Sequence, residues 1–232
     1  EISFEDIVLT GECGVSEMQS LRTLNLSIPE DLEIGDWLKH NIIDGVFDLA
    51  TSHPDNSLYF IDLANLDLSS ASSLIFPSSL SSLTLKDVNL GKDTIIYSRT
   101  NEKLLPWYSN GEEKNLSSLT ISNSSFHSLY LASFPYLSRL SITSNSVNLY
   151  GALSLNKIGK ENKNTEIYIS DSLFQSISIK DSAARNIEIS KALSPADGTT
   201  DIKNVDIKQN LNISTKDSEI SLSNISAKGD IN

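Results

Sequence analysis

The six residues Leu80-Ser81-Ser82-Leu83-Thr84-Leu85 return almost unchanged as Leu116-Ser117-Ser118-Leu119-Thr120-Ile121. Both read apolar, two residues, apolar, one residue, apolar. The last two apolar residues alternate with a polar one, which predicts a short strand with one buried face. The same pattern recurs elsewhere in the chain, which indicates a repeat protein. The other copies have their apolar residues at Leu21/Leu24/Leu26, Leu58/Ile61/Leu63, Phe126/Leu129/Leu131, Leu137/Leu140/Ile142, Phe174/Ile177/Ile179, Ala184/Ile187/Ile189 and Ile202/Val205/Ile207.

The distance between copies indicates the kind of repeat. Neighbouring copies lie about 20 residues apart, as at Ile61 and Leu83, or about 10 apart, as at Leu119, Leu129 and Leu140. The longer spacing suits one solenoid coil, and the shorter one suits two strands per coil on different faces. Helices of ordinary length do not fit between copies 10 residues apart. We therefore predict a mainly β fold, a parallel β-solenoid that is either leucine-rich-repeat-like or a right-handed β-helix.

The alternation also assigns faces. Buried positions should include Leu83, Leu119, Leu129, Leu140, Ile177 and Ile187. Their outward neighbours Thr84, Tyr130, Ser141 and Ser178 should be exposed.

The N-terminal region departs from the pattern. Residues 29–52 hold Trp37, Leu38, Ile42, Val46 and Phe47 at roughly helical spacing, with Asp36 as a possible N-cap. We predict a capping region over residues 1–57 with a helix around 34–49, followed by solenoid repeats over 58–232. Residues 92–114 interrupt the repeats and should form a long loop. The pattern is still present at residues 229–232, so we expect the chain to be a piece of a longer protein.

The charge of the chain disfavours two classes of partner. The sequence has 30 Asp and Glu against 18 Lys and Arg, a formal net charge of −12. Such a field repels nucleic-acid phosphates and anionic lipid headgroups. The sequence contains no apolar run long enough to cross a bilayer, so we expect no direct membrane insertion.

Two stretches carry a resemblance to known families. At residues 80–85 and 116–121 the chain resembles bacterial surface leucine-rich-repeat proteins of the internalin-like or BspA-like kind. From Ile213 to Ile231, with its Ser-x-Glu-Ile and Gly-Asp-Ile segments, it is similar to adhesin-like β-solenoid domains of bacteria. The receptor-L-like repeats of fungal cell-wall proteins are a third relative. Together these resemblances imply an extracellular protein of the cell surface or cell wall that binds a ligand.

No motif in the sequence predicts a cofactor, a metal site or a catalytic residue. The three histidines, His40, His53 and His127, are far apart and lack the spacing of zinc ligands. Cys13 is the single cysteine and has no signature of a nucleophile around it. Stacking of coils could still cluster carboxylates, for example Asp62, Glu188 and Asp206. That possibility keeps open a polysaccharide-degrading β-helix enzyme, although we expect a protein without chemistry.

Aromatic residues supply the candidate binding site. Tyr130 and Tyr168 should present rings on a polar sheet face, with Arg139 as a nearby hydrogen-bond donor. Trp107 and Tyr108 in the predicted 92–114 loop form a second candidate, either exposed or folded back over the stack. These residues favour an adhesin-like solenoid that recognises a host glycan or an extracellular protein. The alternative is a structural spacer that lifts another domain from the cell surface.

Overall fold

The computed structural model describes residues 2–4, 23–27, 42–50, 59–100, 103–110, 112–143, 145–147, 151–162, 164–191, 198–215 and 219–232. These residues form 22 strands and no helix. Parallel pairing dominates, and the strands stack into a β-solenoid of about seven turns. The predicted mainly β, solenoid architecture is therefore confirmed.

One sheet runs the length of the described chain and is the largest of the three. This first sheet contains, in spatial order, β1 (Ile2–Phe4), β2 (Thr23–Ser27), β5 (Phe60–Leu68), β7 (Ser82–Leu90), β10 (Ser118–Ser122), β13 (Arg139–Thr143), β16 (Glu166–Ser170), β19 (Asn186–Ser190) and β21 (Leu211–Ser214). All neighbours in it are parallel. Two short strands, β11 (Ser125–Phe126) and β14 (Ser146–Val147), pair beside it. The sheet already begins with β1 and β2, inside the region that the sequence assigned to the cap.

The remaining strands form two further sheets. The second sheet has the order β3 (Ile42–Ile43), β4 (Val46–Asp48), β6 (Ser73–Pro77), β8 (Ile95–Arg99) and β9 (Leu104–Pro106). The third sheet has the order β12 (Leu129–Phe134), β15 (Ala152–Ile158), β17 (Ser176–Lys180) and β20 (Thr199–Ile207), with β18 (Ala183–Ala184) and β22 (Glu219–Ala227) also paired to β20. Strands that lie about 10 residues apart in sequence therefore alternate between sheets, as the spacing predicted.

The predicted core positions are confirmed. Leu83, Leu119, Leu129, Leu140, Ile177 and Ile187 are all buried, as expected for the inward positions of stacked strands. Among their outward neighbours, Tyr130 is exposed and Thr84 and Ser178 are half-buried. Ser141 contradicts the prediction, because it is only 8% exposed. Its short side chain lies in register between Thr120 and Tyr168, which shield it from solvent.

The coils turn through residues with positive φ. On the first sheet these corners stand two residues after the inward pair of a strand, at Asn65, Asp87, Asn123, Asp171 and Lys191; on the third sheet they stand at Ser133, Lys157, Asp181, Asn204 and Asn224. Asn and Asp tolerate this left-handed conformation better than other non-glycine residues. Their side chains also bond along the stack: the Asn224 amide donates to Asn204 Oδ1 at 2.8 Å, and the Asn204 amide donates to Asp181 Oδ1 at 2.9 Å. These contacts hold each coil in register with the next.

The N-terminal helix prediction is wrong over residues 42–48, and residues 34–41 lie outside the described part of the chain. Ile42–Ile43 and Val46–Asp48 pair as an antiparallel hairpin. The turn is Asp44-Gly45, and both residues have positive φ, the conformation of a tight type I′ hairpin turn. Strand β4 then pairs with β6, so Phe47 enters the core of the solenoid.

The prediction of a long loop over residues 92–114 is also wrong in part. Ile95–Arg99 continues the second sheet beside β6, and Leu104–Pro106 folds back on it antiparallel. The β-branched pair Ile95-Ile96 favours this strand over a loop. Between β9 and the first sheet, residues 107–110 and 112–117 have no strand structure.

Candidate functional site, a gap between two sheets

The hydrogen bonding between neighbouring strands is interrupted between the second sheet and the third sheet. Strand β8 pairs with β6 and β9, whereas β12 pairs with β15 alone among the described strands. Trp107 spans the interruption: its N–H donates to the Ile96 carbonyl at 2.9 Å, and its carbonyl accepts from the Ala132 N–H at 2.7 Å. One residue thus links the two sheets at this level of the stack.

Trp107 also carries the hydrophobic core across the interruption. Its side chain is 2% exposed and lies between Phe76 of β6 and Phe134 of β12, with ring centroids 5.9 and 5.2 Å away. The indole Nε1–H donates to Ser98 Oγ at 3.0 Å, so the polar atom of the ring is satisfied. Of the two placements the sequence allowed for Trp107, the structure has the ring folded back into the stack.

Lys114 fixes the segment that follows Trp107, although no sequence signal marked this residue. It is 3% exposed, and its ammonium donates to the carbonyls of Ala132, Ser109 and Glu112 at 2.8, 2.9 and 3.3 Å. The same ammonium lies 5.3 Å from the centre of the Phe134 ring, within range of a cation–π contact. Lys114 therefore fills the interruption on the side that follows Ala132 in the chain. The side that precedes Ala132 stays uncovered.

Burial lowers the pKa of Lys114 to about 8, and the Glu112 carboxylate opposes this shift. An unfolded lysine titrates near 10.4. Between about pH 8 and pH 10.4 the unfolded chain therefore binds more protons at this site than the folded chain, so the contribution of Lys114 to stability rises with pH across this window. Below pH 8 Lys114 is protonated in both the folded and the unfolded chain, and the folded chain carries the full cost of burying the ammonium.

We expect Lys114→Met to be destabilising, by roughly 1–3 kcal/mol at neutral pH, because buried carbonyls lose their donor. The stability advantage of the native chain over Lys114→Met should grow between pH 8 and pH 10. Urea unfolding of both proteins at several pH values measures this difference. Groups that titrate alike in the two proteins contribute equally to both free energies of unfolding and drop out of the difference. A stability advantage that is constant or falls between pH 8 and pH 10 would contradict a lowered pKa of Lys114.

The uncovered end of the interruption is a pocket of about 550 Å³. Buried apolar side chains form its floor, namely Leu90, Ile96, Ile121, Phe126 and Leu129. Tyr108 and Tyr130, 52% and 48% exposed, line it where it meets solvent. Lys92 and Asp93 contribute one charge of each sign to the lining. An apolar cavity with a few polar groups and exposed rings has the usual composition of a ligand site.

One polar atom at this pocket has no protein partner among the described residues. His127 lines the pocket, and its Nδ1 is shielded from solvent without a hydrogen bond. A shielded nitrogen of this kind is unfavourable until a donor or acceptor reaches it. In the sequence His127 stands apart from the other histidines, and nothing in its neighbours predicted a position at a pocket.

The predicted site residues divide between two surfaces. Trp107, Tyr108 and Tyr130 all line the pocket, which joins two candidates that the sequence kept separate. Tyr168 lies on β16 of the first sheet, and Arg139 lies on β13 beside it. Tyr130 belongs to the third sheet, so the expectation of one face carrying both tyrosines is wrong.

The surface around Tyr168 is shallower and more polar. A concavity of about 390 Å³ lies between Arg139, Ser141, Glu166 and Tyr168. Glu166 is held by the Asn186 amide at 3.0 Å and by Arg185 Nε at 3.7 Å. Arg139 stands opposite Glu166 in the register of the two strands. The arrangement places charges of opposite sign side by side on the surface of the first sheet.

The three carboxylates considered for catalysis are not brought together. Asp62 lies on β5 and Glu188 on β19, with four strands between them, a separation of about 24 Å at roughly 4.8 Å per strand. Asp206 lies on β20 of the third sheet. Within the described ranges, no cluster of three His, Cys, Asp or Glu side chains is arranged to hold a metal ion. No described helix is long and apolar enough to span a membrane.

Comparisons with protein families, with curated proteins and with solved structures return no match for this chain.

Proposed function

We propose that this chain is a ligand-binding β-solenoid without catalytic chemistry, and that the pocket between β8 and β12 is its ligand site. The pocket geometry carries the proposal: an apolar cavity of about 550 Å³, lined by Tyr108, Tyr130 and His127. Rings on a rigid stack lose little entropy when a ligand contacts them. The resemblances suggest that the ligand is a host glycan or an extracellular protein and that the protein acts at a cell surface or cell wall.

Charge is consistent with this class of ligand. The chain carries a net charge of −12, but Lys92 and Asp93 balance each other at the pocket. A neutral sugar or a neutral to basic protein segment could approach without the repulsion that an anionic polymer would meet.

The proposal is tested by a screen of the purified chain against a glycan array and a panel of extracellular matrix proteins. We expect at least one binder whose affinity falls about 5- to 150-fold in Tyr108→Ala, the equivalent of about 1–3 kcal/mol for an exposed aromatic contact. Tyr136→Ala is the matched control, because Tyr136 is similarly exposed and does not line the pocket. A binder that is equally sensitive to both substitutions would move the site elsewhere.

The alternatives have separate outcomes in the same experiment. No binder in a broad screen would favour the structural spacer. Release of reducing sugars from acidic polysaccharides would favour the enzyme, although the separation of Asp62, Glu188 and Asp206 gives no acid pair for that reaction.

A further inference from the structure

The pocket occupies the position of a missing strand. Trp107 forms backbone hydrogen bonds to both Ile96 and Ala132. The space between β8 and β12 is therefore as wide as one strand at that level. Trp107 continues the line of β9, and the chain then turns away, with the Ser109 N–H donating to the Pro106 carbonyl at 3.0 Å. A strand that continued in the direction of β9 beyond Trp107 would lie beside Ile95 and Tyr130, and the pocket occupies that position.

The edge of β12 faces this space with backbone groups. Along a strand, the N–H and C=O groups of alternate residues point to the same side. Since the Ala132 N–H points to Trp107, the N–H and C=O of Tyr130 also point into the pocket. Leu129 and Leu131 direct theirs to β15, the one strand that pairs with β12 in the part of the chain that the structure describes. An unpaired strand edge is a template for another strand.

We propose that the pocket binds an extended peptide segment of a partner protein, which adds as a strand between β8 and β12. This inference rests on the proposed function and names the occupant of the same site. Main-chain hydrogen bonds to Tyr130 would hold the segment, and an apolar side chain would enter the cavity above Ile121 and Phe126. A segment of about four residues would match residues 127–130, which line the pocket, since strand neighbours pair one to one.

The composition of the pocket specifies the segment further. Its floor is apolar and its rim is solvated, so apolar and polar side chains should alternate along the peptide. The net charge of −12 disfavours an acidic segment. A glycan, in contrast, would stack on Tyr108 and Tyr130 and would not need the main-chain groups of β12.

The probes are acetylated, amidated hexapeptides in which Val, Ile, Leu or Phe alternates with Thr or Lys, titrated calorimetrically against the native chain. We expect one or more to bind, and N-methylation of their central backbone amides to weaken binding at least ~10-fold, the effect of one lost hydrogen bond of about 1.4 kcal/mol. No binding by any hexapeptide at about millimolar concentration, or equal binding after N-methylation, would overturn strand addition.

A pair of variants at one position gives the second test. Tyr130→Pro removes the N–H that points into the pocket, whereas Tyr130→Ala removes only the ring and keeps the N–H. Proline is tolerated on an edge strand when its missing N–H faces away from the sheet, so the pairing of β12 with β15 should survive. We expect Tyr130→Pro to bind the hexapeptides at least ~10-fold more weakly than Tyr130→Ala. Equal affinities in two folded variants would overturn the inference, and if Tyr130→Pro does not fold, the N-methylated peptides decide.

Failure of this inference is distinguishable from failure of the proposed function. A glycan that binds with sensitivity to Tyr108→Ala while no hexapeptide binds would leave the ligand site in place and remove strand addition. Loss of both kinds of binding would remove both proposals.

Discussion

Leu140→Asp should split the unfolding of this protein into two transitions. Leu140 is fully buried in β13, in register with Leu119 on one side and Ile167 on the other. An uncompensated carboxylate at that position costs several kcal/mol, and the thin core of a single coil cannot absorb it. Because each coil contacts only its neighbours, the damage should stay local and uncouple the coils on either side.

The measurement is urea unfolding followed by far-ultraviolet circular dichroism and by tryptophan fluorescence. The two signals should coincide in the native chain and separate in Leu140→Asp. Thr120→Asp is the matched control, since Thr120 points outward from the neighbouring strand β10 and has uncharged residues, Thr84 and Ser141, beside it. A single transition in Leu140→Asp near the native midpoint would show that the position is not buried in a stacked coil.

Trp107→Ala should lower the free energy of unfolding by about 3–5 kcal/mol, the range for a large buried aromatic residue. The substitution removes the ring between Phe76 and Phe134 and leaves Ser98 Oγ without its donor. Trp107→Phe should cost less, because an aromatic ring remains between the two phenylalanines while the hydrogen bond is lost. The difference separates the packing contribution from the contribution of the indole N–H.

Tyr108→Ala provides the control for this series, because Tyr108 follows Trp107 directly in the chain and is exposed. It should change stability by less than about 0.5 kcal/mol. Denaturant unfolding of the three variants gives the comparison. If Trp107→Ala were as mild as Tyr108→Ala, Trp107 would not carry the core across the interruption between the sheets.

The sequence was sufficient to predict the repeating part of the fold. Apolar alternation at residues such as Leu83 and Leu119 reports burial directly, and spacings near 10 and 20 residues report how strands divide between sheets. The corners were also encoded, since Asn and Asp recur two residues after the inward pair, at Asp87 and Asn123 among others. That regularity is visible only once the left-handed turns are known.

The predictions that were wrong concern residues whose structure depends on a distant partner. Residues 42–48 have helical spacing, but Asp44-Gly45 favours a tight turn and pairing with β6 stabilises the hairpin. The ladder interruption depends on how the segment after β9 crosses between sheets, which no local pattern encodes. Tyr130 and Tyr168 occupy equivalent outward positions in their strands, and only the order of strands in each sheet reveals that they lie on different surfaces.

That separation of the two tyrosines gives the most direct measurement of where the ligand binds. A binder returned by the glycan and matrix-protein screen would be titrated against the native chain, Tyr130→Ala and Tyr168→Ala. We expect Tyr130→Ala to lose about 1–3 kcal/mol of binding free energy with the fold intact, and Tyr168→Ala to keep native affinity. Native affinity in Tyr130→Ala, together with a loss in Tyr168→Ala, would place the site on the first sheet and contradict the assignment of the pocket between β8 and β12.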